Sequence, residues 1–407
     1  MMDVSAGKPA PDGPLAGVRV LELQGLGPGP FCAMLLSDFG AEVVRVDRAA
    51  GVTDADPADP PADVLSRGRR SIAVDLKSPS GVELLLRLVE QADVLIEGFR
   101  PGVTERLGLG PQVCLERNPR LIYGRVTGWG REGPYARYAG HDINYLALSG
   151  NLWSIGRSGE RPVPPLTYVG DFGGGGMLLA LGICAALAER AESGRGQVVD
   201  TAMVDGAALL NGFVYGLRDT GGWTEERGSN LLDSGAPFYD VYETSDGRWV
   251  SVGAIEPQFY RNLLTLLGLT DEPLDAQNDP EYWPILRTRL TEIFRTRTRD
   301  EWCALLEGKE ACFAPVLSPW EAPDHPHNRA RGTFTECHGR TQPAAAPHFG
   351  RTPAAIAGPA PHPGQHTTEV LREWGVGASE IGALRDLGAI AESVAEAETT
   401  TGARPLR

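Results

Sequence analysis

The sequence predicts an α/β protein with a large parallel-sheet domain and a smaller α+β domain. Apolar runs typical of buried strands alternate with helical patterns over residues 14–205. Residues 232–320 combine a hairpin signal with amphipathic helices. The chain has 407 residues, of which 42% are hydrophobic, so it can bury enough surface for two domains.

The chain begins with a strand–turn–helix–strand pattern. Residues 17–23 predict a strand, and residues 24–30 form a loop rich in glycine and proline. A helix follows as far as Phe39, where Gly40 is a helix stop signal. Residues 41–46 predict the second strand of this βαβ unit. The pattern is Rossmann-like, because a glycine-rich turn connects the first strand to the helix.

Two classes of ligand fit this unit. Asp47 follows the second strand, where dinucleotide-binding folds carry an acidic residue. However, Pro28 and Pro30 lack the backbone N–H groups that would bind a pyrophosphate. A tight turn shaped for another ligand therefore fits the residues at least as well as a dinucleotide site.

Basic residues recur where the next strands are predicted to end. Strands are predicted at residues 71–76, 93–97 and 121–126, and a helix at residues 78–91. Ligands of open α/β sheets bind beyond the carboxyl ends of the strands. In an acidic protein this placement favours a phosphate-bearing ligand. The basic residues on or near these ends are Arg48, Arg67, Arg69, Arg70, Lys77, Arg100 and Arg106.

Two polar turns in the centre of the chain carry the candidate chemistry. His141 precedes a helical pattern for which Asp142 is the predicted N-cap. Six of the seven histidines lie at or beyond His325, so His141 is predicted to be the only imidazole in the folded body. A helix start disfavours a protonated imidazole, so this histidine is expected to be a neutral base near pH 7.

The second turn carries Asp171, which precedes Phe172, four glycines and an apolar helix. Glycines at a helix start allow a ligand to approach the backbone N–H groups. Two simpler interpretations stay open. The aspartate can be a helix cap, and the glycines can serve close packing between a helix and a strand. A two-base proton-transfer site is the functional alternative.

The rest of the chain predicts a linker helix over residues 206–231 and then the smaller domain. Two strand-like runs flank Asp246-Gly247, a hairpin signal, and three amphipathic helices follow near residues 257–268, 283–295 and 299–306. Glu256 precedes the first of these helices, where a charged helix start is the simpler interpretation. Residues 1–13 predict a flexible tail.

The sequence after the smaller domain is less regular. Residues 321–366 are rich in proline and histidine without metal-ligand spacing, so they predict a surface segment without a metal site. Residues 376–407 predict a helix followed by a partly disordered tail.

Composition limits the class of partner and the compartment. The net charge of −15 argues against nucleic acid. Six cysteines without CxxC spacing predict free thiols in a reducing cytosol. The N-terminus lacks the apolar core of a signal peptide, and the longest apolar run, residues 177–188, is shorter than a membrane span. A soluble, cytoplasmic protein that does not bind membranes is therefore expected.

Several motifs in order resemble the family III CoA-transferase superfamily of the CaiB/BaiF type. Within this superfamily, the chain is most similar to the bacterial α-methylacyl-CoA racemases. The resemblance covers residues 14–365. The motifs are LAGVRVLEL, GPGP, GAEVVRVDR, the RPG of residues 100–102, ERLGLG, TGWG, GHDINY and GDFGGGG.

The resemblance implies an intertwined homodimer with a Rossmann-like large domain and a small domain, and residues 321–375 would return to the large domain. It also implies an acyl-CoA substrate, no metal and no cofactor apart from the CoA of the substrate. His141 and Asp171 match the two acid/bases, and Glu256 matches a glutamate that orients the histidine. The positions matching CoA contacts are Arg48, Val74, Asp75, Leu76, Lys77, Gly98, Phe99, Arg100, Arg106, Gly140, Asp142, Ile143, Asn144 and Tyr145.

Three functions remain in competition. A racemase would interconvert (2R)- and (2S)-2-methylacyl-CoA by proton transfer between His141 and Asp171 through an enolate. The transferase branch of the superfamily uses an aspartate at the position of Asp171 as a nucleophile and generally lacks the histidine. A nicotinamide-binding dehydrogenase, or a binding protein without catalysis, is the third alternative, based on the GLGPGP turn and Asp47.

Overall fold

The computed structural model describes residues 13–393. The predicted tails therefore fall largely outside the described residues, which exclude 1–12 and 394–407. The chain divides into two compact units. The first unit contains residues 13–145, Thr167–Leu209 and residues 332–393, and the second contains Leu146–Leu166 and Leu210–Arg331.

The strands of the described chain form three sheets of seven, three and two strands. The prediction of an α/β fold is confirmed, and the predicted strands before residue 254 are present within a few residues of their expected limits. The strands are β1 Arg19–Leu23, β2 Glu42–Arg48, β3 Arg70–Val74, β4 Val94–Glu97, β5 Ile122–Thr127, β6 Gln197–Ala202, β7 Tyr239–Glu243, β8 Trp249–Gly253, β9 Phe313–Pro315, β10 Phe334–Cys337, β11 Arg340–Pro343 and β12 Ile390–Ala391.

The helices include one segment of π-helix. It covers Tyr168–Met177 and runs directly into the α-helix that follows. The α-helices are α1 Pro28–Asp38, α2 Pro79–Val89, α3 Val103–Arg106, α4 Pro111–Arg117, α5 Asp142–Ser149, α6 Leu178–Ser193, α7 Met203–Leu210, α8 Gly212–Asp219, α9 Pro257–Leu266, α10 Trp283–Phe294, α11 Arg299–Leu306, α12 Pro326–Arg331, α13 Thr367–Glu373 and α14 Ala378–Asp386.

The seven-stranded sheet of the first unit has the order β12-β3-β2-β1-β4-β5-β6. All neighbours are parallel except β12, which pairs antiparallel with β3. The order reverses between β1 and β4, because β2 and β3 lie on one side of β1 and β4 to β6 lie on the other. Such a switch point opens a crevice beyond the carboxyl ends of the strands, where ligands of doubly wound sheets bind.

The central strands β1 and β4 are buried on both faces and mostly apolar, as expected for a parallel sheet covered by helices on both sides. Neighbouring residues of a strand point to opposite faces. Leu21 accordingly belongs to the core cluster that includes α2 and α13, whereas Val20 belongs to the cluster that includes α1 and α6.

The basic cluster at Arg67, Arg69 and Arg70 does not bind a phosphate in the predicted way. These residues lie at the amino end of β3, and each guanidinium is buried against a carboxylate of the first unit. Arg67 Nη2 lies 2.6 Å from Asp38 Oδ2, and Arg69 Nε lies 3.0 Å from Glu22 Oε2. Their charges are therefore already neutralised within the fold.

The segment after residue 331 is more ordered than the sequence predicts. Strands β10 and β11 form an antiparallel hairpin, and β12 extends the main sheet beyond α14. His366 is also part of the folded body, because its Nδ1 accepts the Ser71 N–H at 3.2 Å and burial lowers its pKa. The expectation that His141 is the only imidazole of the body is therefore wrong.

The second unit contains the predicted hairpin β7–β8, to which β9 adds a third antiparallel strand. Helices α9, α10 and α11 match the predicted amphipathic patterns, and Thr298 and Glu301 form a capping box at the start of α11. Two short helices, α7 and α8, replace the single linker helix predicted over residues 206–231.

Residues 146–166 group with the second unit, although the predicted large domain included them. The reason is a set of contacts with the segment after α8. The Trp153 indole N–H donates to the Glu225 carbonyl at 2.9 Å, and Arg227 Nη1 donates to the Trp153 carbonyl at 2.8 Å.

One helix of the described chain is long and apolar enough to cross a membrane, judged by length and composition alone. It joins the π-helix to α6 over Tyr168–Ser193, and a stretch within it has a mean hydropathy of 1.6. The sequence prediction missed this length because it counted only residues 177–188. Core helices of soluble proteins pass the same test, and Ile183 of this helix packs against Gly124 of β5.

The buried pair of Arg69 and Glu22 is expected to stabilise the first unit strongly. Arg69→Ala should lower the free energy of unfolding by about 3–5 kcal/mol, because it leaves the Glu22 carboxylate buried without a partner. Thermal and urea unfolding followed by circular dichroism will measure the loss. As a control, Arg117→Ala removes an exposed ion pair with Glu83 and should change the melting midpoint little. Equal losses of unfolding free energy in Arg69→Ala and Arg117→Ala would contradict the strong stabilisation expected from the buried pair.

Candidate active site

A cavity of about 220 Å³ lies at the carboxyl ends of the strands beside the switch point of the first unit. The loops after β1, β4 and β5 and the turn before α5 form its walls. The lining residues are Leu26, Pro28, Gly98, Phe99, Arg100, Pro101, Val126, Thr127, Gly128, Trp129, Ala136, Tyr138, Ala139, Gly140, His141, Tyr145 and Met203.

His141 lies directly before α5 and is exposed at this cavity. Its backbone N–H donates to Asn144 Oδ1 at 3.1 Å, and its carbonyl accepts the Asn144 N–H at 2.8 Å. The Asn144 side chain therefore stabilises the start of α5 by accepting the His141 N–H. The prediction that Asp142 is the N-cap is wrong. Asp142 is the first helical residue, and its backbone N–H has no partner within the helix.

The sequence predicts that Asp171 precedes a helix. In the structure it lies inside the π-helix. The Phe172 N–H donates to the Thr167 carbonyl five residues earlier at 3.1 Å, which is the spacing of a π-helix. The Asp171 N–H donates to Asp142 Oδ1 at 2.8 Å. This bond joins the two polar turns, so the residue beside His141 holds the backbone of Asp171.

Three of the four glycines after Phe172, namely Gly174, Gly175 and Gly176, serve close packing of helices. A side-chain methyl group at Gly175 would lie 3.0 Å from Pro28 Cβ, and one at Gly176 would lie 2.6 Å from the Pro28 carbonyl oxygen. Gly174 meets the backbone of α7 at Gly206 in the same way. Of the two interpretations left open for these glycines, packing is the one that the structure supports, although the partners are helices and not a strand.

This packing also places the Asp171 side chain. A methyl group at Gly27 would lie 3.2 Å from Asp171 Oδ2, so the carboxylate sits against the glycine at the N-cap of α1. Gly27 has a φ of 68°, a backbone conformation that suits glycine. Both the space and the backbone conformation therefore favour glycine at this position.

The electrostatics of the site raise the pKa of the aspartate. Burial and the nearby Asp142 carboxylate raise the pKa of Asp171 to about 6, although His141 acts in the opposite direction. Burial, Asp171 and Asp142 raise the pKa of the Tyr145 phenol to about 12, opposed by Arg100. These mutual effects show that the five side chains share one region of the first unit.

Aromatic rings support the turn that carries His141. The Tyr145 hydroxyl donates to the Gly140 carbonyl, and the Tyr145 and Trp129 rings meet edge to face with centroids 4.7 Å apart. A methyl group at Gly140 would lie 2.8 Å from the Trp129 ring, and Gly128 similarly abuts Tyr145. The TGWG and GHDINY motifs thus pack against each other.

The predicted CoA-contacting residues fall into five places. Five of them line the cavity: Gly98, Phe99, Arg100, Gly140 and Tyr145. Asp142, Ile143 and Asn144 form the first turn of α5, and the last two are exposed. Arg106 lies at the end of α3, with Nη1 3.2 Å from the position of a methyl group at Gly102.

Arg48 lines a second cavity of the first unit, of about 350 Å³. Leu26, which is 93% exposed, lines both cavities, so they meet at the loop after β1. Val74 ends β3 and is buried, and Asp75, Leu76 and Lys77 follow it at the same edge of the sheet. None of these four lines either cavity.

Glu256 lies in the second unit, at the N-cap position of α9. Its side chain forms no capping hydrogen bond, and it is exposed. The simpler interpretation of a charged helix start therefore describes its position, and its carboxylate is not engaged by the helix that it precedes.

Residues outside the sequence prediction also shape the cavity. Leu26 and Trp129 line it, and Glu97 is buried directly behind Gly98. Burial raises the pKa of Glu97 to about 7, whereas the Phe99 N–H, Arg125 and Arg131 lower it. The position of Glu97 at the end of a predicted strand was the signal available in the sequence. Within residues 13–393, no group of three or more histidine, cysteine, aspartate or glutamate side chains is arranged to hold a metal.

Comparison with known proteins identifies the family. The chain is 50% identical over 369 residues to an α-methylacyl-CoA racemase of Mus musculus, covering 90% of this chain and 95% of the mouse protein. It is 47% identical to an α-methylacyl-CoA racemase of Homo sapiens, with the same coverage. A solved CAIB/BAIF family protein from Brucella suis has a TM-score of 0.78 at 26% identity, covering 89% of this chain and 100% of that chain. The model of CoA-transferase family III matches residues 15–367, and the chain belongs to this family.

Proposed function

We propose that the chain is an α-methylacyl-CoA racemase that interconverts (2R)- and (2S)-2-methylacyl-CoA in fatty acid metabolism. The observation that carries the proposal is the bond from the Asp171 N–H to Asp142 Oδ1, which ties the backbone of Asp171 to the residue that follows His141, and His141 lines the cavity. The relatives named α-methylacyl-CoA racemase, at 47–50% identity over 90% of the chain, support the same function.

The proposed reaction is a proton exchange at the carbon next to the thioester. The thioester makes this α-hydrogen weakly acidic, because deprotonation places charge on the carbonyl oxygen. His141 removes the proton of the S substrate and Asp171 that of the R substrate, while the conjugate acid of the other group protonates the opposite face. The backbone N–H of Asp142, at the first position of α5, is the proposed donor to the enolate oxygen, a type of contact worth roughly 3–4 kcal/mol.

The environment of Asp171 suits this role. A pKa of about 6 lies above that of an ordinary carboxylate, so both the ionised and the protonated form of Asp171 are accessible near neutral pH at modest cost. Burial is the main cause of the increase, and the Asp142 carboxylate adds to it. A base with a pKa near the working pH is effective as both acid and base.

We also propose that the chain forms an intertwined homodimer in which Glu256 of a second copy orients His141 and stabilises its protonated form. The exposed carboxylate without a capping bond is available for this role. No metal or redox cofactor takes part in the proposed chemistry, since CoA arrives with the substrate. A cytoplasmic location without membrane or nucleic acid partners remains part of the proposal.

A CoA-transferase is the second candidate. A half-buried aspartate in a glycine-rich segment is the observation that favours it, because such a carboxylate can act as a nucleophile on a thioester. A transferase requires a second carboxylic acid as CoA acceptor, and it passes through a covalent aspartyl intermediate. The presence of His141 beside Asp142 favours the racemase, since a transferase has no need of a second base.

The first test is isotope exchange. With 2-methyloctanoyl-CoA in D₂O and no acid acceptor, the protein should incorporate deuterium at C2 and interconvert the two enantiomers. His141→Ala and Asp171→Ala should each slow racemisation by about 100-fold or more, because each removes one of the two acid/bases. Chiral chromatography and mass spectrometry measure the rates. His348→Ala and Asp219→Ala, both at exposed positions, serve as controls with unchanged rates.

Racemisation that persists in both site variants would exclude the two-base assignment. If racemisation is absent and hydroxylamine traps an aspartyl intermediate only when an acyl-CoA donor is present, the transferase is the correct function.

The second test is the pH dependence of the R-to-S reaction. Only the ionised Asp171 carboxylate can remove a proton, so the rate should rise with pH through about 6 on the acidic side of the profile. Asp142→Asn keeps the oxygen that accepts the Asp171 N–H but removes a negative charge. The rising limb should therefore move to lower pH in this variant. A limb that stays in place would show that Asp171 does not control it.

The third test concerns the homodimer. Co-expressed His141→Ala and Glu256→Ala chains should regain activity, because half of the dimers are mixed and each mixed dimer contains one intact site. The expected activity is about a quarter of the wild-type value under random assembly. Light scattering checks the oligomeric state, and each variant expressed alone is the control. Activity no higher than that of the single variants would contradict a site built from two copies.

A further inference from the structure

A strand beside the switch point ends in a buried carboxyl group that the proposed chemistry does not use. Glu97 is the last residue of β4, and it is only 2% exposed. The turn that follows, residues 98–101, lines the cavity of the candidate active site. Glu97 therefore lies immediately behind the part of the cavity that is proposed to contact CoA.

The Glu97 side chain fixes the turn through one hydrogen bond. The Phe99 N–H donates to Glu97 Oε2 at 2.7 Å, across the intervening Gly98. Aspartate and asparagine side chains commonly stabilise turns by accepting a backbone N–H two residues later, and Glu97 makes the corresponding contact with a longer side chain. Because Gly98 itself restrains the backbone little, this bond sets the direction in which the chain leaves β4.

The direction of this turn affects the rest of the site through Arg100. The Arg100 guanidinium is close enough to the Tyr145 phenol to oppose the increase in its pKa. The Tyr145 hydroxyl in turn donates to the Gly140 carbonyl, next to His141. A shift of the 98–101 turn would therefore move the Arg100 guanidinium, which lines the cavity, relative to the turn that carries His141.

No ion pair accounts for the burial of Glu97 among the described residues. Arg125 on β5 pairs with Asp200 at 2.7 Å, and Arg131 pairs with Glu105 on α3. Both arginines lower the pKa of Glu97, whereas burial and Glu105 raise it, and the result is about 7. Tyr123 of β5 is the other titratable group that faces this carboxyl.

We propose that Glu97 is a positioning residue that holds the 98–101 turn in its acyl-CoA-binding conformation. This inference rests on the proposed function, since it assumes that the cavity receives an acyl-CoA. The ionised carboxylate forms a charge-assisted hydrogen bond, which is about twice as strong as one to a neutral acceptor. Protonation of Glu97 should therefore loosen the turn.

Substitution at this position should change substrate binding and not the chemical step. Glu97→Ala should raise the KM for 2-methyloctanoyl-CoA about tenfold, as expected when a hydrogen bond to a charged group is lost, with kcat within about twofold. Glu97→Gln keeps an oxygen acceptor and should restore KM at pH 7 to within about threefold of the wild-type value.

The pH profile separates this role from a purely structural one. In the wild-type protein, KM should rise as pH falls through about 7, because Glu97 gains a proton. Glu97→Gln cannot titrate, so this increase should be absent. Glu105→Gln is the matched control, because it removes a nearby charge without touching the turn. Well above pH 7 its KM should equal the wild-type value, and the increase in KM should begin at a lower pH, because Glu105 raises the pKa of Glu97.

Calorimetric titration with free CoA tests the role of Glu97 without relying on catalytic activity. If the wild-type protein binds CoA but exchanges no deuterium, the proposed function fails while the CoA affinities still test Glu97. Unchanged KM and CoA affinity in Glu97→Ala would overturn the inference, as would a loss of kcat at constant KM. If Glu97→Ala does not fold, a Glu97→Gln profile identical to the wild-type profile would overturn it.

Discussion

The backbone N–H of Asp171 and the carboxylate of Asp142 form the bond on which the candidate active site depends. It spans 2.8 Å and joins two residues that are 29 positions apart in the chain. The same carboxylate, 6% exposed, raises the pKa of Asp171. One contact therefore both ties the backbone of Asp171 to the residue that follows His141 and places beside it a carboxylate that raises its pKa.

Packing of the π-helix makes this contact possible. Gly175 and Gly176 allow the start of α1 to approach the helix that carries Asp171, and the carboxylate then rests against Gly27. Side chains at these glycines would push α1 away and change the surroundings of the carboxylate. The π-helix is a rare geometry that occurs frequently at functional sites, and here it turns Asp171 toward α5 and α1.

Much of the fold and of the site follows from sequence patterns, and the exceptions have physical reasons. Apolar runs and glycine-rich turns predict the strands and the cavity residues Gly98–Arg100, because these signals are local. The π-helix is not predictable, since the glycines after Phe172 suggest a loop and only contacts with α1 and α7 stabilise a helix there. The strand β12 has two residues and forms by pairing with β3. The partners of Arg67, Arg69 and Arg70 are distant in sequence, so their neutralisation was not visible.

The central claim is that His141 and Asp171 each serve one face of the same carbon, and stereospecific exchange in the single variants tests it most directly. With Asp171→Ala in D₂O, the S enantiomer of 2-methyloctanoyl-CoA should exchange its C2 hydrogen without inversion, while the R enantiomer stays unlabelled. His141→Ala should show the opposite selectivity. Exchange of both enantiomers in either variant, or of neither enantiomer in both folded variants, would contradict the assignment of one base to each face.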